Sequence, residues 1–207
     1  MTLAQRINGS LRRVPTWPGY VLGVIPAAWL WYLGLTGGLG PEPVKALEHE
    51  LGKIALQLLV ASLCVSPILW VARVNLIRFR RMIGLLAFFY VVMHFAVYLF
   101  LDLRLNWAQI GEDLTKRPYI ILGAISLLAL IPVALTSNDR SVRRLGSALW
   151  GRIHWLVYPA SIGAAAHYLW LVKAWPLEPI LYLAIMVGLV AWRPLRKAAR
   201  TRQRQVA

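Results

Sequence analysis

Four histidines, His49, His94, His154 and His167, are the side chains of this chain best suited to chemistry. His94 and His167 stand inside long apolar blocks, and His154 stands at the edge of one. An ionisable group inside such a block is costly and commonly functional. Neutral imidazole is also a good iron ligand, and haem iron takes axial histidine. His94 lies 12 residues past Met82, where its block begins, which is about 18 Å along a helix. His167 lies 14 residues past Ile153, about 21 Å along. If both blocks enter the membrane from the same side, the two imidazoles reach similar depths. On neighbouring helices they could then grip one metal from opposite faces.

The other two histidines carry less. His154 is 13 residues before His167, which turns it about 140° away on a straight helix. The pair shares a face only if Pro159 changes the phase. The residue 14 before His94 is Arg80, which cannot ligate iron, so a second haem at His154 lacks a ligand from that helix. His154 also fits a solvated residue at an interface, and a lone intramembrane histidine fits a hydrogen-bonded core role. His49 stands between Glu48 and Glu50 ahead of the second apolar block and reads as a loop residue. Cys64 is the single cysteine, so neither an intrachain disulfide nor a cysteine-ligated iron–sulfur cluster is available.

The elements that must position these side chains are membrane helices. Of the 207 residues, 59% are hydrophobic, and the mean hydropathy is +0.59. The excess is gathered into blocks of spanning length. Six candidate spans run roughly over Pro18–Leu35, Leu51–Val71, Met82–Leu101, Tyr119–Leu135, Ile153–Leu171 and Leu177–Trp192. Lipid leaves backbone groups no partner, so the spans are helical; the alternating ten-residue segments of a barrel are absent. The expected fold is an all-α polytopic bundle of six transmembrane helices. It forms one domain over 1–207, with an N-terminal segment 1–17 and a basic tail 194–207. The first block follows Arg12 and Arg13 without a small-residue cleavage site and reads as a retained anchor.

Seventeen of the 23 Lys and Arg residues fall in the N-terminal segment, the loops after spans two and four, and the tail. The positive-inside rule therefore places both termini in the cytoplasm. Most acidic residues fall on the other side, and several tryptophans, Trp70, Trp107, Trp175 and Trp192 among them, mark span ends. The net charge of +15 fits anionic headgroups rather than nucleic acid, because no soluble basic face remains once the spans are set aside. Pro67, Pro132 and Pro159 lie inside spans and should bend them. The glycines of Leu35–Gly40 form a turn after span one. No carboxylate pair, activated nucleophile, P-loop or dinucleotide fingerprint is present.

Three segments together carry a resemblance: RRMIGLLAFFYVVMHFAVYLFLD; KRPYIILG followed by ALTS; and RRLGSALWGRIHWLVYPASIGAAAHYLW. They resemble the MsrQ (YedZ-type) family, which is related to the membrane domains of ferric reductases and NADPH oxidases. The likeness runs from about Pro43 to Trp170. It implies a ferric-reductase-like transmembrane domain in the bacterial inner membrane that binds haem b through His94, His154 and His167. One haem is implied, with a second left open. It also implies association with flavin mononucleotide (FMN), and electron transfer to a periplasmic molybdenum-containing subunit, MsrP, which itself reduces methionine sulfoxide. The electrons come from the quinone pool or a cytosolic flavin reductase. Arg80, Arg81 and Arg152 could hold a haem propionate or the flavin phosphate, although ordinary positive-inside residues would look the same. Arg80 stands where the larger oxidases have an inner histidine. Their fused flavin and nicotinamide domain has no counterpart in the 14 residues from Pro194 to Ala207, so the donor is expected to be a separate molecule. Two other readings stay open: a ferric or oxygen reductase acting at the outer surface, and a cofactor-free transporter or assembly factor.

Overall fold

The computed structural model describes residues 2–172, 174 and 176–206, with side chains as far as Arg193. Lys173 and Trp175, counted above among the outer-loop residues, lie outside the described residues, as do the side chains of the basic tail. Helices occupy nearly all of the described chain: α1 (Leu3–Arg13), α2 (Trp17–Thr36), α3 (Pro43–Val71), α4 (Ile77–Ala96), α5 (Trp107–Lys116), α6 (Pro118–Leu135), α7 (Asp139–Trp155), α8 (Val157–Leu171) and α9 (Leu177–Val206). Among the described residues, α2, α3, α6 and the run Ile77–Asp102 are long and apolar enough to cross a membrane. The first four expected spans coincide with these. The fifth begins later than expected. Pro159 has no N–H for the Trp155 carbonyl, and the helix breaks at Leu156, so His154 closes α7 instead of opening α8.

Antiparallel pairs α3–α4, α6–α8 and α8–α9 build the bundle. One core joins Leu56, Leu59 and Leu63 of α3 with Ala87, Leu130, Ala160, Ala165 and Met186 from four other helices. Large apolar side chains remain exposed on the outside, such as Leu22, Ile25 and Trp29 on α2 and Ile125 and Leu128 on α6. Such a surface suits lipid.

Helix α2 packs parallel to α4 in constant register. Gly19 meets Met82, Gly23 meets Leu86, and the N–H of Ala27 meets Tyr90. Small residues every fourth position let the two backbones approach. Pro26 disturbs α2 at this contact, because it has no N–H to donate and its ring presses on the preceding turn. The fully buried Tyr90 hydroxyl fills the disturbance. It donates to the Gly23 carbonyl (2.7 Å) and accepts from the Ala27 N–H (3.1 Å), the two groups an undisturbed helix would pair.

Three polar stretches expected as termini or loops are helical, each started by a side-chain cap. Thr2 and Gln5 form a capping box on α1, Asn106 caps α5 and Asn138 caps α7. Helix α5 is pinned by the buried Asp113, which accepts from the Tyr98 hydroxyl (2.8 Å) and pairs with Arg117 (3.1 Å). Helix α1 is held to the α3–α4 connection. The Asn8 side chain bonds the carbonyl of Arg73 and the N–H of Asn75, and Arg78 donates to the carbonyls of Leu11 and Arg12. The turn after α2 is glycine-built as expected, with Gly37 and Gly40 at positive φ.

Candidate haem-ligand site

His94 and His167 are brought together. They lie on α4 and α8, with ring centroids 6.3 Å apart and planes at 75°. Each ring is held from behind by the neighbouring helix of its own antiparallel pair. His94 Nδ1 lies 2.8 Å from the Glu48 carbonyl of α3, and His167 Nδ1 lies 2.7 Å from the Tyr119 carbonyl of α6. A carbonyl only accepts, so each Nδ1 carries the proton and donates it. That assigns the tautomer and leaves the lone pair of each ring on Nε2. Neither Nε2 has a hydrogen-bond partner among the described residues.

This donor set fits a haem iron. With a metal–imidazole bond of about 2 Å and roughly 1 Å from nitrogen to ring centre, two imidazoles could hold one metal between them at a centroid spacing of about 6 Å. The observed 6.3 Å matches. Among the described residues no group of three or more His, Cys, Asp or Glu gathers into a metal site. His94 and His167 would thus be two ligands for an iron whose remaining positions a porphyrin would fill.

His154 sits apart from this pair. Its ring stacks on Trp150 (centroids 3.8 Å apart), its Nδ1 is 3.1 Å from the Trp150 carbonyl and its Nε2 is 3.3 Å from the Ser137 hydroxyl. Both nitrogens are thus engaged within the α6–α7 corner. Arg80, half-buried on α4, is the first cation within electrostatic reach of His154. The three arginines differ in their surroundings. Arg81 pairs with Asp139 at 2.6 Å, and this holds the exposed Asp139 carboxyl below its ordinary range. Arg152 is exposed on α7, in an open cleft beside Gly151 and Trp155. Arg80 also lies within reach of Arg193, the residue just before the tail. Arg193 donates to the hydroxyl of Tyr158 and to Ser66 (3.2 Å), tying α9 to α8 and α3.

His49 is corrected from a loop residue to a helical one. Helix α3 begins at Pro43, well before the apolar block, because hydropathy marks burial in lipid rather than helicity. The half-buried His49 ring packs against Tyr168, the residue after His167, at 5.5 Å. Beside it, Lys53 bridges Glu50 (3.6 Å) and Glu178 (3.5 Å). The carbonyls of Glu48 and Tyr119 were invisible to sequence reasoning, since every residue has one. The only signal is a glycine four positions after each, Gly52 and Gly123.

Known proteins resemble this chain over most of its length. Residues 51–165 match the family model described as ferric reductase like transmembrane component. Proteins named protein-methionine-sulfoxide reductase heme-binding subunit MsrQ from Brucella ovis and Brucella canis are 49% identical over 187 residues, covering 90% of this chain and 84% of theirs. The protein of the same name from Brucella melitensis is 48% identical over the same span. The chain therefore belongs to the MsrQ family of heme-binding subunits, within the ferric-reductase-like transmembrane proteins.

Proposed function

We propose that this protein is the membrane electron-transfer subunit of a methionine sulfoxide reductase system, with one haem b held between His94 and His167. The observation that carries the proposal is the ring pair: two imidazoles 6.3 Å apart, each with Nδ1 donated to a backbone carbonyl and Nε2 free to ligate. A haem iron at that site supplies reversible one-electron chemistry. His94 and His167 would hold that iron, and the Glu48 and Tyr119 carbonyls fix both rings. With both axial positions filled by histidine, no coordination site is left for oxygen or a ferric complex, which disfavours the outer-surface reductase reading.

Electrons enter from the quinone pool or a cytosolic flavin reductase and leave to the periplasmic molybdenum-containing subunit MsrP, which reduces methionine sulfoxide in oxidised periplasmic proteins. Six spans in the bacterial inner membrane, with both termini cytoplasmic, place the donor and acceptor sides. Two contacts support this topology. Helix α1 touches the α3–α4 connection through Asn8 and Arg78, and Arg193 touches the same end of α3 and α8. At that end we assign Arg80 and Arg152 to an anionic group, a haem propionate or the phosphate of FMN. Arg81 stands at the same end and already pairs with Asp139, so it comes after these two in the assignment.

The test is the absorption spectrum of the purified protein, oxidised and reduced. A low-spin b-type spectrum is expected, lost in both His94→Ala and His167→Ala. Absence of haem, or a high-spin form that shifts with carbon monoxide, would overturn the proposal.

A further inference from the structure

We infer that Gly52 and Gly123 are positioning residues for the two histidines, because a Cβ at either would crowd the imidazole that the carbonyl one turn back orients. The inference rests on the reading that His94 and His167 bind haem, and it names residues that this reading does not.

The same device occurs twice, on two separate helix pairs. On α3 the carbonyl that receives His94 belongs to Glu48, and Gly52 follows four residues later. On α6 the carbonyl that receives His167 belongs to Tyr119, and Gly123 follows four residues later. In an α-helix the N–H of residue i+4 bonds the carbonyl of residue i. That carbonyl keeps a second lone pair, which an outside donor can use. The Cα–Cβ bond of residue i+4 tilts toward the helix N-terminus, so its side chain lies over the turn containing that lone pair. A glycine there removes that side chain and lets a ring as wide as imidazole come close to the carbonyl.

The coordinates agree at both positions. A Cβ built on Gly52 would stand 3.0 Å from His94 Nδ1 and 3.2 Å from its Cε1; one built on Gly123 would stand 3.0 Å and 3.2 Å from the same atoms of His167. Other glycines of the bundle meet different neighbours. Cβ atoms at Gly19 and Gly23 would meet the flexible tips of Met82 and Leu86, and one at Gly188 would meet nothing within 4 Å. The histidine rings cannot move aside as a flexible tip can. Each is fixed by its Nδ1 bond on one side, and on the other it must present Nε2 at the spacing the pair requires. An alanine methyl would push the ring off its carbonyl by a few tenths of an ångström and lengthen the bond.

That bond is more than an anchor. An Nδ1–H donated to a carbonyl makes Nε2 a stronger donor, and strong axial donation favours ferric over ferrous iron. Loosening it should raise the haem potential and weaken haem retention. Losing an outer-shell partner commonly costs 10–100-fold in metal affinity. A tenfold loss of ferric over ferrous preference corresponds to about 59 mV for one electron.

The experiment compares the full-length protein with Gly52→Ala, Gly123→Ala and the control Gly188→Ala. Each is purified in detergent and measured for haem affinity, for midpoint potential by spectroelectrochemistry, and for the g-values of the low-spin ferric signal. Both test variants are expected to shift upward in potential by about 59 mV or more, to lose at least tenfold in haem affinity, and to change g-values, while Gly188→Ala matches the parent. A bis-histidine spectrum in the parent combined with test variants indistinguishable from the control overturns this inference and leaves the haem reading standing. No low-spin haem in the parent overturns both. If an alanine variant does not fold, the parent still decides the matter. Nitrogen NMR of its histidines in the diamagnetic reduced state should show Nδ1–H protons on both ligands, hydrogen-bonded and slow to exchange. Freely exchanging Nδ1 protons would refute the clamp.

Discussion

Tyr90→Phe isolates one hydroxyl whose two partners are both known. That hydroxyl lies on a fully buried side chain and bridges the Gly23 carbonyl at 2.7 Å and the Ala27 N–H at 3.1 Å. Removing it takes that partner from the half-buried Gly23 carbonyl and from the buried Ala27 N–H. In water-soluble cores each such loss costs about 1–3 kcal/mol. In membranes, measured side-chain hydrogen bonds average about 0.6 kcal/mol and reach about 1.7. Two bonds therefore set an expected loss of roughly 1–3 kcal/mol, toward the upper end if α2 cannot relax. Gly23 and Ala27 stand four apart and could pair with each other, and Pro26 is what opposes that closure. The cost of Tyr90→Phe should accordingly shrink in a Pro26→Ala background, giving a coupling of about 1 kcal/mol between the two positions. The assay is reversible SDS unfolding in mixed bicelles, followed by circular dichroism, for the four members of the cycle. A Tyr90→Phe loss under about 0.5 kcal/mol would mean that the bridge adds nothing. A full loss with no coupling would mean that Pro26 is not the reason for it. The result bears on the site, since Tyr90 stands one turn before His94 and fastens the ligand-bearing helix to α2.

Two further outcomes follow from contacts at the other end of the bundle. His154→Ala removes a ring engaged at both nitrogens by Trp150 and Ser137, so haem per protein, measured as the pyridine haemochrome, should be unchanged; a halved content would show that His154 holds a haem of its own. The Asp139 carboxyl is held below its ordinary range chiefly by its hydrogen bond from Arg81. Its contribution to stability is therefore present above the ordinary carboxylate pKa and is lost as pH falls through the lowered value. Thermal unfolding from pH 7 to pH 3 should show this small acid-side loss in the parent and not in Asp139→Asn, and identical profiles would remove the pair from the account.

The matched depth of His94 and His167 was legible in the sequence because helix rise is nearly constant, so counting residues from the block edges estimates height. Helix entry and exit were less legible. Glu48 and Glu50 ended the apparent span at Leu51, yet the backbone stays helical from Pro43, with Lys53 paired to Glu50 and Glu178. Ion pairs and solvated headgroups let a helix continue past the apolar region that hydropathy detects. The short helices α5 and α7 had readable starts, Asn106 and Asn138, but too few apolar residues to register against the spans.

The clamp bears on why a depth estimate good to only a few ångströms singled out two rings that lie 6.3 Å apart. Height along a helix sets which turns face each other. It does not set where a ring points, and a histidine on an apolar helix face has no inherent reason to aim at its counterpart. Here the aim comes from backbone carbonyls on two other helices, α3 and α6, so ring orientation depends on the packing of α3 on α4 and of α6 on α8. Immediately after His94 the helix loosens into a π-helical turn, Val97–Asp102, in which the Leu103 N–H reaches the Tyr98 carbonyl five residues back. The turn directs Tyr98 to Asp113 of α5 and ends the regular helix beyond the ligand. Four helices thus define a site to which only two contribute side chains, which is why histidine spacing alone suggested the metal pair but could not reveal what holds it.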